Sequence, residues 1–142
     1  MDDQTPPKSL LIDGAAIVES VLGTKGFVFA LDQHAKGSGG WFASGSFARG
    51  DRRLELHFRG SLGMVTYHLG AASLGHEDYM RLLGVYGKNL YPDFPKEPLD
   101  SFRSLASDLE NFCGDFVSGD GEQFMALARQ FAVNPNPFKG IP

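Results

Sequence analysis

The sequence predicts an α+β domain with an antiparallel four-stranded meander sheet over residues 27–69, a short N-terminal helix, and C-terminal helices packed on one face of the sheet. Two patterns indicate this class. Between residues 27 and 69, apolar side chains recur at every second position and turn-forming residues separate the runs, as in strands joined by hairpins. Beyond residue 99, apolar side chains recur at steps of three and four, as on one face of a helix.

The chain has 142 residues, which predicts a single domain over residues 1–142 that buries about two thirds of its unfolded surface. Thr5-Pro6-Pro7 is typical of irregular chain, so residues 1–9 are predicted to be a flexible lead-in. Pro135 and Pro137 should end the last helix and leave residues 135–142 as a tail.

A short first helix is predicted after Ile12, with Asp13 as its N-cap and Gly23 as its C-terminal stop. The next segment alternates in the manner of a strand, with Phe27, Phe29 and Leu31 on the face turned to the core. Residues 37–40, Gly-Ser-Gly-Gly, then indicate a hairpin loop. A phosphate-binding loop would need a helix directly after it, and the pattern that follows is that of a strand.

Two tight turns define the rest of the sheet, one at residues 49–52 and one at residues 60–63. Counting outward from them gives four apolar cross-strand pairs, namely Phe47 with Leu54, Phe58 with Val65, Leu56 with Tyr67 and Leu54 with Leu69. A slip of one residue would exchange the two faces of the sheet, so the apolar pattern itself supports this pairing.

The opposite face of the sheet collects charged, histidine and hydroxyl side chains. They are Ser44, Ser46, Arg53, Glu55, His57, Arg59, Thr66 and His68. In the predicted register Glu55 lies across from His68, Ser46 across from Glu55, and Ser44 across from His57.

Three C-terminal helices are predicted. Ser73 is a candidate N-cap for the first, whose apolar stripe contains His76, Tyr79, Met80 and Leu83 and which ends at Gly84. Residues 85–98 contain three prolines and are predicted to be a surface connection. The main helix should follow, with Phe102, Leu105, Leu109, Phe112 and Phe116 on one face. Asp120 and Gln123 then form a capping-box pattern before the last helix.

The charge, the length of the apolar runs and the cysteine content disfavour several classes of function. A formal charge of −4 disfavours binding to nucleic acid, because phosphate recognition normally uses a basic surface. No apolar run reaches the roughly 18 residues of a membrane helix, and the acidic start lacks a secretory signal pattern, which together predict a cytoplasmic protein with no membrane partner. The single cysteine, Cys113, cannot form an internal disulfide and is predicted to be a buried thiol beside Phe112 and Phe116.

Neither a metal nor any other cofactor is predicted. The four histidines are His34, His57, His68 and His76, and they lack the close spacing and paired cysteines of a zinc site. Glu77 and Asp78, which follow His76, are explained by the favourable interaction of acidic side chains with the start of a helix.

Three functions remain open. A small hydrolase or lyase could use Glu55 to orient His68, with Ser44 or Ser46 nearby, but an open sheet face does not supply the enclosed pocket of an enzyme. We therefore predict no catalytic residue and favour a protein partner that binds Arg53, Glu55, His57, Arg59 and His68. A third possibility is a subunit of a larger assembly in which the tail docks elsewhere.

Acidic residues of the C-terminal half predict a negative surface that would attract a cationic partner. They are Asp93, Glu97, Asp100, Asp108, Glu110, Asp115, Asp120 and Glu122.

Residues 50–59, GDRRLELHFR, followed by residues 65–68, VTYH, and 76–80, HEDYM, resemble those of small uncharacterised bacterial proteins. In size, acidity and α+β build, the whole chain is also similar to immunity proteins of bacterial toxin systems. This similarity implies a toxin inhibitor that binds a cationic toxin domain stoichiometrically and blocks its active site or its access to the target. It assigns no site residue.

Overall fold

The computed structural model describes residues 6–37, 40–92 and 96–133 of the chain. The predicted tail at residues 135–142, the first five residues of the predicted lead-in, and Asp93 lie outside these ranges. Among the described helices, none combines the length and apolar character needed to cross a membrane.

The protein is an α+β domain built on one antiparallel sheet. The sheet has the meander order β1-β2-β3-β4-β5, with strands β1 (Val28–Gly37), β2 (Gly40–Arg49), β3 (Arg52–Arg59), β4 (Ser61–Leu69) and β5 (Ala72–Gly75). The helices are α1 (Pro6–Leu22), α2 (His76–Leu83), α3 (Asp100–Phe112), α4 (Gly114–Val117) and α5 (Glu122–Val133), and a short 3₁₀ helix, Gly23–Lys25, follows α1.

The prediction of four strands was wrong, because Ala72–Gly75 forms a fifth strand that pairs with β4. This segment is short and rich in small residues, so it lacks an alternating apolar pattern. Helix α2 consequently begins after Gly75, and Ser73, which was predicted to cap it, lies within the new strand. Gly84 ends α2 with a φ of 80°, as the sequence predicted.

Helix α1 is longer than predicted. It begins at Pro6 rather than after Asp13, so residues 6–9 of the predicted lead-in form its first turn and Asp13 lies in its interior. Pro6 and Pro7 are compatible with this start because the first N–H groups of a helix have no partner within it.

The register between β2 and β3 is the predicted one, with Phe47 opposite Leu54, Ser46 opposite Glu55 and Ser44 opposite His57. The register between β3 and β4 was predicted wrongly. Glu55 lies opposite Thr66 rather than His68, and the observed pairs are Arg53 with His68, Leu54 with Tyr67, Leu56 with Val65 and Phe58 with Leu62.

A tighter turn explains this difference. The chain reverses at Gly60, which has a φ of 73°, and Arg59 pairs directly with Ser61, so β4 begins earlier than the predicted four-residue turn allows. An irregularity between the pairs Leu56–Val65 and Phe58–Leu62 then accommodates one extra residue in β4. Leu62 and Val65 both reach the core in consequence, although they are three residues apart.

The core lies between the sheet and the helices. Phe47, Leu54, Leu56, Phe58 and Tyr67 are fully buried on the sheet side. Helix α1 crosses β2 and packs on α3, while α5 packs beside β5. The predicted main helix is interrupted at Cys113, which separates α3 from the single turn of α4.

The ends of α4 and α5 are secured by side chains from elsewhere. Arg52 donates to the carbonyl oxygens of Asp115 and Phe116, and Arg49 to that of Val117. The Asp115 carboxylate accepts from Phe124 N at 2.9 Å, so α5 is capped by a more distant residue than the predicted Asp120. Asp120 accepts instead from Glu122 N at 3.0 Å.

Candidate partner-binding face

The five predicted partner-binding residues share one face of the sheet, the one opposite to α1 and α3. We call this the open face and define it by Asp32, Phe42, Ser44, Ser46, Arg53, Glu55, His57, Arg59, Thr66 and His68. Alternation along each strand places them there, because their neighbours in sequence, such as Leu54, Leu56 and Phe58, face the core. The charged side chains of this face remain accessible: those of Arg53, Asp32 and Glu55 are 42%, 40% and 39% exposed.

A continuous polar network runs across four strands of the open face. Ser46 Oγ donates to Asp32 Oδ2 at 2.6 Å and accepts from Arg53 Nη1 at 2.8 Å. Arg53 also lies 3.8 Å from Asp32 Oδ2 and 3.5 Å from Glu55 Oε1. His68 Nε2 completes the network at 2.9 Å from Glu55 Oε1. The guanidinium of Arg53 thus stands between two carboxylates and links β1 to β4.

A second cluster occupies the other end of the open face. The ring of Phe42 stacks on that of His57, with centroids 5.1 Å apart. The guanidinium of Arg59 lies over the same Phe42 ring, 5.2 Å from its centroid. Strands β2 and β3 therefore present an aromatic ring with a cation and an imidazole around it.

The chemistry of the Glu55 and His68 pair is constrained by its neighbours. Glu55 Oε1 contacts both the His68 imidazole and the Arg53 guanidinium. The hydroxyl of Ser46 is engaged by the same network, since it donates to Asp32 and accepts from Arg53. The side chains of Glu55 and His68 are 39% and 27% exposed, so the pair faces solvent instead of an enclosed pocket.

A second group of polar residues lies inside the core. The sequence patterns did not predict that these residues are close together. His76 Nε2 is 3.0 Å from Asp108 Oδ2, and His76 Nδ1 is 2.7 Å from the hydroxyl of Tyr67. The carboxylate of Asp108 also accepts from Leu90 N at 2.7 Å and Tyr91 N at 2.9 Å. The residue was predicted to contribute to an acidic surface, but it is fully buried, so that assignment was wrong.

The buried group holds elements together. Both ring nitrogens of His76 are occupied by protein partners, and Asp108 fastens the connection after α2 to helix α3. A cavity of about 240 Å³ lies beside His76, lined also by Thr66, Asp78 and Tyr91. Because the imidazole has no nitrogen left for a substrate, this arrangement fits a structural role.

One signal in the sequence could have identified Asp108. It lies three residues after Leu105 and four before Phe112, in the apolar stripe predicted for α3. A carboxylate in a buried stripe needs hydrogen-bond donors, and His76, in the apolar stripe predicted for α2, was an available candidate.

The thiol of Cys113 is buried, as predicted, and it is not activated. Burial is the main cause that raises the pKa of the thiol from 9.0 to about 12, against a lowering contribution from the hydrogen bond with Tyr67. The pKa of the Tyr67 hydroxyl is likewise raised, first by burial and then by the proximity of Cys113. A neutral, inaccessible thiol is a weak nucleophile.

Over the described ranges, no three His, Cys, Asp or Glu side chains are grouped closely enough to hold a metal ion. Comparison with known proteins adds no further assignment: no protein-family model, curated protein or solved structure matches the chain. The geometry of the open face is therefore the basis for a functional proposal.

Proposed function

We propose that this chain is a cytoplasmic protein-binding or inhibitory protein and that the open face is its binding surface. Its most concrete form is an immunity protein that neutralises a bacterial toxin by stoichiometric binding. The observation that carries the proposal is the polar network of Asp32, Ser46, Arg53, Glu55 and His68, whose charged members are held in position on an accessible face.

Fixed side chains favour binding because less conformational entropy is lost when a partner arrives. Long side chains such as Arg53 cost roughly 0.5 to 1.5 kcal/mol each when an interface immobilises them. The contacts of Arg53 with Ser46 and Glu55 restrict it before binding. Alternating positive and negative groups also select a partner with the complementary arrangement, since like charges in contact are strongly unfavourable.

The cluster of Phe42, His57 and Arg59 supplies a second element of a binding surface. Aromatic residues and arginine are enriched among the residues that contribute most to protein interfaces. Phe42 is half-buried under its neighbours, while Arg59 is exposed above it. A partner that covers this end of the face would remove both groups from water and strengthen the cation-aromatic contact.

Overall charge indicates the type of partner. The chain carries a formal charge of −4, and Glu110, Asp120 and Glu122 are exposed on or beside the C-terminal helices. A cationic toxin domain would be attracted by this field and oriented at short range by the open face. On the open face the positive charges of Arg53 and Arg59 are balanced by the negative charges of Asp32 and Glu55. Recognition there therefore depends on the arrangement of the charges rather than on their sum.

Growth rescue tests the proposal. The gene immediately upstream is sequenced, and if it encodes a toxin domain, the chain is co-expressed with that domain and survival is scored together with the dissociation constant of the purified pair. Reversal of both cations, Arg53→Glu with Arg59→Glu, should abolish rescue and weaken the complex by at least roughly 100-fold, as loss of central interface contacts does. The control reverses Arg129, which is exposed on α5, and should leave rescue intact.

Unimpaired rescue by the double reversal, in a protein with an unchanged circular dichroism spectrum, would eliminate the open face as the binding surface. The absence of any toxin gene beside this one, with a metabolic operon in its place, would count against the immunity assignment but not against a protein partner.

The second candidate is a small hydrolase or lyase that uses Glu55 and His68. The 2.9 Å contact between the two side chains favours it, because a carboxylate in this position fixes the orientation of an imidazole. The two proposals make opposite predictions for His68→Ala, which should remove enzymatic turnover yet leave the affinity for a protein partner within about threefold, as is usual for residues outside the energetic centre of an interface.

A further inference from the structure

A groove separates helix α5 from strand β5, at the edge of the sheet opposite to β1. It has a volume of about 490 Å³ and is lined by residues 71–73 on the sheet side and by residues of the last turns of α5 on the helix side. Ala72, Met125 and Phe131 pack against the core from here, yet they are only half-buried. The groove therefore has an accessible apolar floor.

Strand β5 contributes backbone groups to the same groove. It is four residues long and pairs only with β4 among the described strands. Ala72 pairs with Leu69 across a two-residue turn, so its backbone bonds to β4, and the backbone N–H and C=O of the next residue, Ser73, point away from β4. Outward-pointing backbone groups beside an apolar floor are what an extended segment of chain binds.

The chain that leaves α5 is within reach of the groove. Helix α5 ends at Val133, which is 87% exposed, and residues 134–142, Asn-Pro-Asn-Pro-Phe-Lys-Gly-Ile-Pro, continue from it outside the described ranges. Phe138 is five residues beyond Val133, which corresponds to about 16 Å of extended chain. Met125 lies eight residues before Val133, about 12 Å back along the helix axis, so Phe138 can reach any part of the groove.

The composition of this segment suits an extended path along the groove. A residue before a proline avoids helical dihedral angles, so the two prolines direct the asparagines before them towards extended conformations. They also restrict the unbound chain, which lowers the entropy lost when the segment binds. Phe138 follows as the aromatic ring of the segment. Residues 139–141 contain no proline, so their N–H groups are available to the backbone of Ser73.

We propose that residues 134–142 fold back along α5 and that Phe138 occupies the groove, with its ring against Met125, Ala128 and Phe131. The covalent connection favours this occupant over a separate molecule. A short tether gives a local concentration in the millimolar range, so a second copy or another protein would have to compete with a ligand that is always present.

The docked segment and the proposed binding surface are independent. None of the residues that line the groove belongs to the set that defines the open face. A variant that loses the contact of Phe138 should therefore keep the rescue and the affinity expected of the open face, and failure of one proposal leaves the other in place.

Photo-crosslinking of the full chain tests the occupant. In the variant Phe138→benzoylphenylalanine the ring carries a ketone that bonds to a neighbouring C–H group under ultraviolet light, and mass spectrometry identifies the residue attached. We expect attachment to the groove-lining residues of α5 within one molecule. Trp41→benzoylphenylalanine is the control and should not attach to α5. Trp41 is exposed, and it lies about 26 Å along β2 from Arg49, the residue in line with Ala72 across the sheet.

The product of the crosslink distinguishes the possible occupants. Attachment within a monomer supports the proposal. A covalent dimer on a denaturing gel would show that a second copy fills the groove and would overturn it, as would attachment outside the groove or no attachment at all.

NMR of the chain without a probe measures the same contact. An aromatic ring against a thioether methyl group displaces its resonance, so Phe138→Leu should move the Met125 methyl signal by several linewidths. Lys139→Ala, the adjacent substitution in the segment, should leave that signal in place. An identical Met125 signal in the unmodified chain and in Phe138→Leu would overturn the proposal.

Discussion

His68 Nε2 lies 2.9 Å from Glu55 Oε1, although the two residues are not directly opposed across β3 and β4. Glu55 pairs with Thr66 and His68 pairs with Arg53, so the contact is diagonal. Long side chains reach such diagonal neighbours on one face of a sheet. Arg53, which is the direct partner of His68 and projects from the same face of β3 as Glu55, lies 3.5 Å from the Glu55 carboxylate, so the three side chains form one group.

The Glu55 and His68 contact should contribute little to folding. Because Glu55 is 39% exposed and His68 27%, solvent screens the pair, and we expect a coupling free energy of about 0.5 kcal/mol. Urea unfolding of Glu55→Gln, His68→Ala and the double variant measures it as a double-mutant cycle. A coupling above about 2 kcal/mol would contradict the interpretation of an accessible network.

The alternation of apolar residues predicted which face of the sheet each residue lies on better than it predicted which residue lies opposite on the neighbouring strand. Alternation in β3 and β4 placed Glu55 and His68 on one face, and this held because the error in register is two residues over the pairs from Arg53 to Leu56. At Phe58, beyond the irregularity, the error is three residues. The turn length decided the partners, and the chain reverses at Gly60 rather than across residues 60–63. Apolar periodicity does not distinguish the predicted four-residue turn from a turn that is one or two residues shorter.

Local sequence patterns did not predict contacts between residues that are far apart in the sequence. His76 and Asp108 are 32 residues apart, and nothing in either local pattern specifies that α2 and α3 approach each other there. The capping of α5 by Asp115 is another such case, since the sequence offered the nearer Asp120. In each case tertiary packing selected among side chains that local rules treat as equivalent.

Removal of the Asp108 carboxylate should strongly destabilise the fold. Asp108→Ala leaves His76 Nε2, Leu90 N and Tyr91 N without their acceptor inside the core, and we expect a loss of about 3 to 5 kcal/mol. Equilibrium urea unfolding gives the value. Glu110→Ala is the control on the same helix, where an exposed side chain should change stability by less than about 0.5 kcal/mol.

Gly14 should not tolerate a methyl group, despite its position inside α1. A β-carbon there would overlap the ring of Phe102 on α3. Replacement of an internal helical glycine by alanine normally stabilises by about 1 kcal/mol, but overpacking costs about 1 to 3 kcal/mol, so Gly14→Ala should lower the free energy of unfolding.

A control variant tests whether the Phe102 ring is the cause of this loss of stability. In a Phe102→Leu background the added methyl group has more room, so Gly14→Ala should become neutral or stabilising there. A gain in stability from Gly14→Ala in the unmodified chain would show that α1 and α3 can separate without loss of packing. Thermal and urea unfolding of the unmodified chain, the two single variants and the double variant distinguish these outcomes.

Stability should decrease at alkaline pH because of Cys113. Folding raises the pKa of its thiol from 9.0 to about 12, so above pH 9 the unfolded chain releases a proton that the folded chain retains. The unfolded state then binds fewer protons, and the free energy of unfolding falls with increasing pH by up to about 1.4 kcal/mol per unit until the folded thiol also ionises. Below pH 9 both states hold the proton and this contribution is constant.

The interval from pH 9 to pH 10 isolates the thiol from the tyrosines. The pKa values of the Tyr67 and Tyr79 hydroxyls are also raised by burial, but their ordinary value is 10.0, so their main effect begins at higher pH. Cys113→Ala should be less stable throughout because of its cavity, yet lose about 1 kcal/mol less than the unmodified chain across this interval. Parallel slopes in urea unfolding at pH 8, 9 and 10 would mean that the thiol ionises in the folded protein, which rapid reaction of the native chain with a thiol reagent would also reveal.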